Sequence, residues 1–510
     1  MLYSQSYRLE EYRLSNILKA SEHVGRPHLA LENNIYVTGT NGKGSTIAFL
    51  KEIFSSLSLS FNVFTSPHIE SVTERIVVRG KPIEEKYLKS LLKKLEKFDL
   101  SFFESMTLVA YMAFAEFRSD INIIEVGIGG RLDATNILGS AICSVITSIN
   151  YDHCEYLGDK ISEIAYEKAC IIKENSVCVI ARQKYKDKVY AACIKQAMKK
   201  NTEVLCYGND FETEMSNTYW SVRMIENSKG SSIAHNSKEP DAECNDFEVN
   251  KQSSKTQDMG LKHIPLPLNL LGDHQIENAT TAIIVAKVVY AKLFSKSLDN
   301  LSLANSSLTN PSLSNSSLLA RSFNKHKSNF SEDYNTINNK IKIGIRDAKW
   351  PGRLETIRLV SLNVEFMLDG AHNESGGIAL KTWIDQKSQI LSNNSTKKRC
   401  LVIGMKKSKD AAKFIKLFID SDLILFVDIR MDGIEFYTAE KLIEISKDLI
   451  ISLDSNRDAD DKIEKVDAIA SKNSLREAML SIDFQKYYVV CTGSLFLIAD
   501  CYKLKKEFES

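Results

Sequence analysis

One run limits what this chain can fold into more than its length does: Ile35-Tyr-Val-Thr-Gly39-Thr-Asn-Gly42-Lys43-Gly44-Ser45-Thr46. An apolar strand, Ile35 to Thr38, passes through a glycine-rich turn into a helical pattern from Thr46 to Leu57. Such a junction aims free backbone N–H groups and the positive end of a helix at an anion. Glycine permits close approach, and Lys43 adds a point charge, so the turn is expected to hold the phosphates of a nucleotide. The spacing departs from the general GxxxxGK[ST] loop, because Val37 stands at the first glycine and Gly44 separates Lys43 from Ser45. The bland alternative is a strand-to-helix turn with a solvated lysine.

The rhythm continues on both sides. Phe61 to Thr65, Ile121 to Val126 and Ile142 to Ile149 read as strands, with helices through Leu88, Leu91, Leu92 and Leu95 and from Met106 to Phe117. Strands alternating with helices predict a parallel sheet covered by helices. After Trp350 the pattern restarts, with strands Val364 to Leu368, Cys400 to Ile403, Leu423 to Val427 and Tyr488 to Cys491 and a helix Ala411 to Phe418. The expected fold class is therefore α/β, with an N-terminal P-loop ATPase-type domain over 1–352, a connector 353–360 and a smaller Rossmann-like C-terminal domain 361–510. The site is expected in the cleft between them, with a hinge near Trp350 to Arg353. A chain of 510 residues accommodates two such cores.

Two stretches break the rhythm. From Ser295 to about Lys340 the chain is rich in Ser, Asn and Lys, with Ser-Leu recurring at Ser297, Ser302, Ser307, Ser312 and Ser317. Ordering it would cost about 1–2 kcal/mol per residue with few apolar side chains in return, so a mobile low-complexity insertion is expected. Asn227 to Met259 reads as a second polar surface excursion, with Phe247 and Val249 as candidate strand remnants.

Composition narrows the function. Lys+Arg 66 against Asp+Glu 65 leaves a net charge of +1, which provides no field to gather the chain on nucleic acid or anionic lipid. No run of 18 apolar residues occurs and the amino end lacks a secretory pattern, so a cytoplasmic protein with no membrane partner is expected. Ten cysteines without CxxC spacing suit a reducing compartment.

Magnesium beside a phosphate loop needs oxygen ligands. Glu125 ends an apolar strand, where a parallel sheet delivers an acid to its ligand edge. His153 follows the next strand, but imidazole is not the usual partner of hard magnesium, and a structural role is the ordinary reading.

Taken in order, GTNGKGST from Gly39, TSPHIESVTERI from Thr65, SFFESMT from Ser101, EVGIGGRLDATN from Glu125, YDHCEYLGDKISEIAYEKACIIK from Tyr151, LGDHQIENA from Leu271, WPGRLE from Trp350, LDGAHN from Leu368 and TGSLFL from Thr492 resemble folylpolyglutamate synthase/dihydrofolate synthase, of the Mur ligase superfamily. The resemblance implies an ATP-dependent ligase that joins L-glutamate to dihydropteroate, to reduced folates or to both through an acyl phosphate, acting as a monomer. It implies that Asn41, Gly42, Lys43, Gly44, Asn278, Arg353, Asp369 and, more weakly, His372 contact ATP. Ser66, Glu125 and His153 would ligate magnesium, expected as two ions, and Lys168, which from sequence alone reads as a surface lysine, matches one that is carbamylated in similar enzymes. Lys43, Glu125, His153 and Lys168 are thus the implied catalytic set. Ser101, Phe102, Phe103, Glu104 and Leu132 fall where similar enzymes hold dihydropteroate; by composition alone the two phenylalanines read as core. No pattern bears on potassium. Cys170 stands for the usual Gly after EKA, and Gly404-Met-Lys-Lys-Ser-Lys409-Asp410 keeps the family's Asp-Lys-Asp segment only loosely.

Two rival readings remain. One is a Mur-type ligase acting on a UDP-linked cell-wall precursor, disfavoured by the 38 residues before Gly39; the other is a non-catalytic nucleotide-binding module, disfavoured by intact Lys43, Glu125, Arg353 and Asp369.

Overall fold

A computed structural model describes residues 14–226, 255–266, 268–302, 334–392, 397–453 and 469–509. The strand before the glycine turn is Asn34–Thr38 (β1), followed by Phe61–Phe64 (β2), Ile76–Val78 (β3), Lys81–Pro82 (β4), Ile121–Glu125 (β5), Cys143–Ile146 (β6), Val177–Ile180 (β7) and Glu203–Cys206 (β8). They form one sheet in the order β4-β3-β2-β5-β1-β6-β7-β8. Pairing is parallel from β2 to β8, and β3 and β4 run antiparallel at one edge. The central strands are buried on both faces, which is why they read as short apolar runs and not as alternations. Their buried asparagines pair with one another: Asn62 donates to Asn122 Oδ1 (3.0 Å) and Asn122 to Asn34 Oδ1 (3.1 Å).

Helix Lys43–Ser56 covers one face together with Asp273–Ser302 and Tyr334–Asp347, interlocking Phe49, Ile53, Ile283, Ile341 and Ile345. Helix Phe102–Glu116 covers the other through Tyr111 and Phe114. A small antiparallel sheet of Phe211–Met215 (β9), Tyr219–Glu226 (β10) and Lys255–Pro265 (β11) adds buried Trp220 to the first of these cores.

The two irregular stretches need correction at their edges. The insertion expected from Ser295 to Lys340 is helical to Ser302 and again from Tyr334, and 303–333 lie outside the described residues. Ile337, Ile341 and Ile345 recur every fourth residue and bury one helical face, a periodicity that the Asn- and Lys-rich composition conceals. The polar excursion ends at Lys255, where β11 begins; 227–254, including Phe247 and Val249, lie outside the described residues.

The second α/β unit holds Glu355–Leu359 (β12), Val364–Leu368 (β13), Lys398–Ile403 (β14), Leu423–Val427 (β15), Ile469–Lys472 (β16) and Tyr487–Thr492 (β17), in the order β12-β13-β17-β14-β15-β16. Only β12 is antiparallel. The stretch expected as connector therefore contains an edge strand of the second sheet. The two units also meet through the loop after β2: Ile69 packs into the second unit's core and Glu70 pairs with Lys506 at 2.7 Å.

Helix Tyr334–Asp347 reaches the phosphate-turn helix closely because of Gly344, where an added Cβ would lie 2.6 Å from Ile53 N. That neighbour is helix backbone and cannot swing aside. Gly344→Ala is expected to destabilise the protein by about 1–3 kcal/mol in thermal or denaturant unfolding; an unchanged midpoint would show that the helices do not pack this way.

Candidate active site

The glycine turn sits at the carboxyl edge of the first sheet, where open parallel sheets bind ligands. Gly42 has φ +88° and caps helix Lys43–Ser56, and a Cβ there would run into the Asn278 amide oxygen, so glycine is required both for conformation and for room. The first intrahelical bond is Thr46 N to Gly42 O, which leaves the amides of Lys43, Gly44 and Ser45 without intrahelical acceptors. The Asn41 amide, in contrast, already donates to Ser148 O (3.2 Å).

Two lysines converge behind this turn. Lys43 Nζ donates to Gly39 O (3.1 Å) and Thr40 O (3.3 Å), and Lys168 Nζ, from helix Ile161–Ala169, donates to the same Gly39 O (3.1 Å). Lys168 is 4 % exposed, not the solvated helix lysine that sequence alone suggests. Burial, then the Lys43 charge, pull its pKa down to about 7. Burial also lowers Lys43, with nearby Glu125 acting against it. Glu125 ends β5, and its Oε2 accepts from Ser66 N at 3.0 Å. Its proton affinity is raised by burial despite Lys43. A buried carboxylate in this state gains from a cation.

The loop after β6 brings His153, held at φ +52°, and Asp152. Burial takes the imidazole down to about 4, against the pull of Asp152, so it is neutral at physiological pH. Burial pushes Asp152 up, but Lys409, His153 and His372 more than offset it and hold the carboxyl below its usual range.

From the second unit, Asp369 follows β13 and accepts from Leu354 N (3.1 Å) and Ala371 N (2.9 Å). Burial raises its pKa, and Arg353 opposes the rise. His372 bonds to Gly370 O through Nδ1 (2.8 Å) and is pushed down to about 3, chiefly by burial and by Lys409. Across the cleft, Asn373 and Asn41 exchange two amide bonds of 3.1 and 3.3 Å, and Lys409 Nζ reaches Asp152 Oδ1 at 2.6 Å.

One cleft of about 580 Å³ is lined by Asn41, Gly42, Lys43, Gly44, Ser66, Glu125, His153, Lys168, Asn278, Arg353, Asp369 and His372, so residues spread over the whole sequence meet there. Ser101, Phe102, Phe103, Glu104 and Leu132 do not line it. Ser101 and Glu104 form a reciprocal cap on helix Phe102–Glu116. Phe102 lies under the Arg75 guanidinium at 5.1 Å, and Phe103 packs beside Phe64 with centroids 5.8 Å apart. Sequence reasoning missed Asp152 and Asn373, each adjacent to a histidine it had singled out, and Trp350, whose ring closes over Gly44.

For magnesium, no group of three or more His, Cys, Asp or Glu gathers among the described residues. Buried Glu125 beside Ser66, and a neutral His153 in the same cleft, fit an ion that takes few protein ligands and completes its shell with phosphate and water.

Because Lys168 carries a proton less readily when folded than the ordinary 10.5, the unfolded chain binds more protons between about pH 7 and 10.5, and stability from this group rises with pH across that window. In buffer free of carbon dioxide, Lys168→Met should raise the melting temperature below about pH 7 and lose that advantage toward pH 10.5. A pH-independent difference would contradict the burial of a free amine here.

The Mur ligase middle domain matches residues 37–286, and the C-terminal domain of dihydrofolate synthetase matches 353–504. The chain is 28 % identical over 484 residues to the dihydrofolate synthase/folylpolyglutamate synthase of Bacillus subtilis (strain 168), covering 92 % of this chain and 90 % of that protein. Over 172 residues it is 39 % identical to the dihydrofolate synthetase of Saccharomyces cerevisiae, covering 32 % of this chain and spanning only 40 % of that relative. Among solved structures, E. coli FolC in complex with DHPP and ADP superposes with a TM-score of 0.68 at 21 % identity over 100 % of this chain and 96 % of that one, a likeness of fold. The Mur ligase middle domain followed by the C-terminal domain of dihydrofolate synthetase, together matching most of the chain, make it a member of the Mur ligase family.

Proposed function

We propose that this chain joins L-glutamate to a pterin-linked carboxylate, dihydropteroate or a reduced folate, with ATP cleaved to ADP and phosphate. The observation that carries this reading is the meeting of Lys43, Lys168 and Glu125 from one unit with Arg353 and Asp369 from the other around a single cleft behind the glycine turn.

The residue types follow from the chemistry. A carboxylate is a poor electrophile, so its oxygen first attacks the γ-phosphorus of ATP; the new O–P bond forms as the bond to the bridging oxygen breaks and ADP leaves. The glutamate amine then adds to the acyl carbon, phosphate departs and the amine gives up a proton. Both steps crowd negative oxygens together, so the task is positioning and charge stabilisation. Lys43 and the amides of Gly44 and Ser45 hold phosphoryl oxygens, while Asn278, Arg353, Asp369 and His372 hold the rest of the nucleotide from both sides. Ser66, Glu125 and His153 are the residues that would hold magnesium, which when bound neutralises phosphoryl oxygens. The aromatic pair Phe102 and Phe103, with Ser101, Glu104 and Leu132, is assigned to the flat acceptor by the resemblance alone.

Lys168 has a further part. With a pKa near 7 its amine is substantially neutral, and its nitrogen can attack carbon dioxide, forming an N–C bond and releasing a proton to leave a carbamate. That anion beside Lys43 converts a repulsion into an attraction. Carbon-13 NMR in labelled bicarbonate should show a carbamate resonance in the wild type and none in Lys168→Met; identical spectra would reject the modification.

The activity itself is tested by ADP release with glutamate, ATP and each acceptor in turn. Glutamate-dependent release is expected with at least one folate-type acceptor; turnover with tetrahydrofolate alone would reject dihydrofolate synthesis, and none with either would reject the ligase. Lys43→Ala should lower turnover by roughly 10²-fold or more while the fold persists.

A further inference from the structure

Two side chains of the second unit reach across the cleft without lining it. Lys409 stands between β14 and helix Ala411–Lys416, fixed there by its amide on Lys406 O (3.1 Å) and by Asp410 capping the helix through Lys413 N (3.0 Å). Its ammonium touches Asp152 Oδ1 at 2.6 Å and His153 Nε2 at 3.3 Å, with the lysine and aspartate side chains only 7 % and 10 % exposed. Asn373 holds the other oxygen of the same carboxylate, Nδ2 to Asp152 Oδ2 at 3.1 Å. The same Asn373 nitrogen donates to Asn41 Oδ1 (3.1 Å), while its oxygen accepts from Asn41 Nδ2 (3.3 Å) and from Gly376 N (2.9 Å).

We infer that Lys409 and Asn373 are positioning residues that clasp the second unit onto the phosphate turn and onto the loop bearing His153, so that the cleft is assembled for phosphoryl transfer only when both are engaged. This rests on the ligase reading of the cleft. Each oxygen of Asp152 is held by a different residue of the second unit, and Asn41, inside the phosphate turn, is held by one of the same two. A buried ion pair repays little of its desolvation, so its main effect is to fix geometry, and it fixes geometry only in the closed arrangement. Asn373 needs an amide specifically: one end donates to two oxygens while the other accepts from two nitrogens. A carboxylate of the same shape would face Asp152 Oδ2 with like charge, and a leucine would satisfy none of the four bonds. Substrate reaches Lys43 and Glu125 in the open form, and closure then excludes water from the acyl phosphate.

The experiment uses the whole chain and the variants Lys409→Met, Lys409→Arg and Asn373→Asp. Small-angle scattering with ADP and magnesium, which requires no turnover, should give a larger radius of gyration for Lys409→Met and Asn373→Asp than for the wild type. Titrated ADP should bind both variants more weakly than the wild type, because Arg353 and Asp369 reach it only across the closed cleft, but the loss should be smaller than the fall in kcat, which is expected on the order of 10²-fold, as misplacement of reacting groups gives. Lys409→Arg, which keeps the charge, should recover part of kcat. If Lys409→Met fails to fold, Asn373→Asp, with its unchanged shape, supplies the same comparison. Wild-type scattering and kcat in a folded Lys409→Met or Asn373→Asp would overturn the clasp, as would ADP affinity falling in step with kcat. A wild type that releases no ADP refutes the ligase reading instead, and the scattering comparison still decides the clasp.

Discussion

Two ammonium groups on one carbonyl oxygen, that of Gly39, form the constraint on which the rest of the site depends. Lys168 is buried and Lys43 half-buried, both have lost proton affinity to desolvation, and the Lys43 charge lowers that of Lys168 further. Desolvated cations at this spacing require anions, and the protein supplies Glu125 from the end of β5 and Asp152 from the loop after β6, on either side of β1. Room is left for more negative charge in the cleft between the two sheets. A nucleotide with its phosphates, and an acyl phosphate made from it, match that demand in sign and place.

The architecture explains why such a concentration of charge is possible. Parallel strands β1, β2, β5 and β6 end at one edge, so residues at or beyond the end of each, Gly39 onward, Ser66, Glu125 and Asp152–His153, come together without local sequence proximity. The second unit adds Asp369 just after β13 and Asn373 just before the helix Glu374–Ser392. Its parallel order thus presents one carboxyl edge to the other, and a single cleft is shared.

Much of this was legible in the sequence, because strand, glycine turn and helix announce themselves by pattern, and Glu125 at the end of Ile121-Asn-Ile-Ile marks its own place at the sheet edge. Lys168 was not: nothing in Glu-Lys-Ala distinguishes a solvated helix lysine from one turned into a crowded interior, since the burial is decided by how helix Ile161–Ala169 lies on the sheet. The helix at Tyr334–Asp347 hid for a related reason, three isoleucines scattered in polar composition. Ser101 and Glu104 carry a plain capping signature ahead of an apolar run, which accounts for their bonds in this structure. Contacts such as Asn373 with Asn41, 332 positions apart, and Lys409 with Asp152, 257 apart, leave no local trace at all.

The most direct measurement is a crystal structure of the chain with a non-hydrolysable ATP analogue and magnesium. The β- and γ-phosphates should lie against the amides of Lys43, Gly44 and Ser45 and the Lys43 ammonium, with the γ-phosphorus open toward the cleft and Arg353 and Asp369 on the nucleotide from the far side. Phosphates bound away from the glycine turn, or a nucleotide touched by one unit alone, would contradict the site described above.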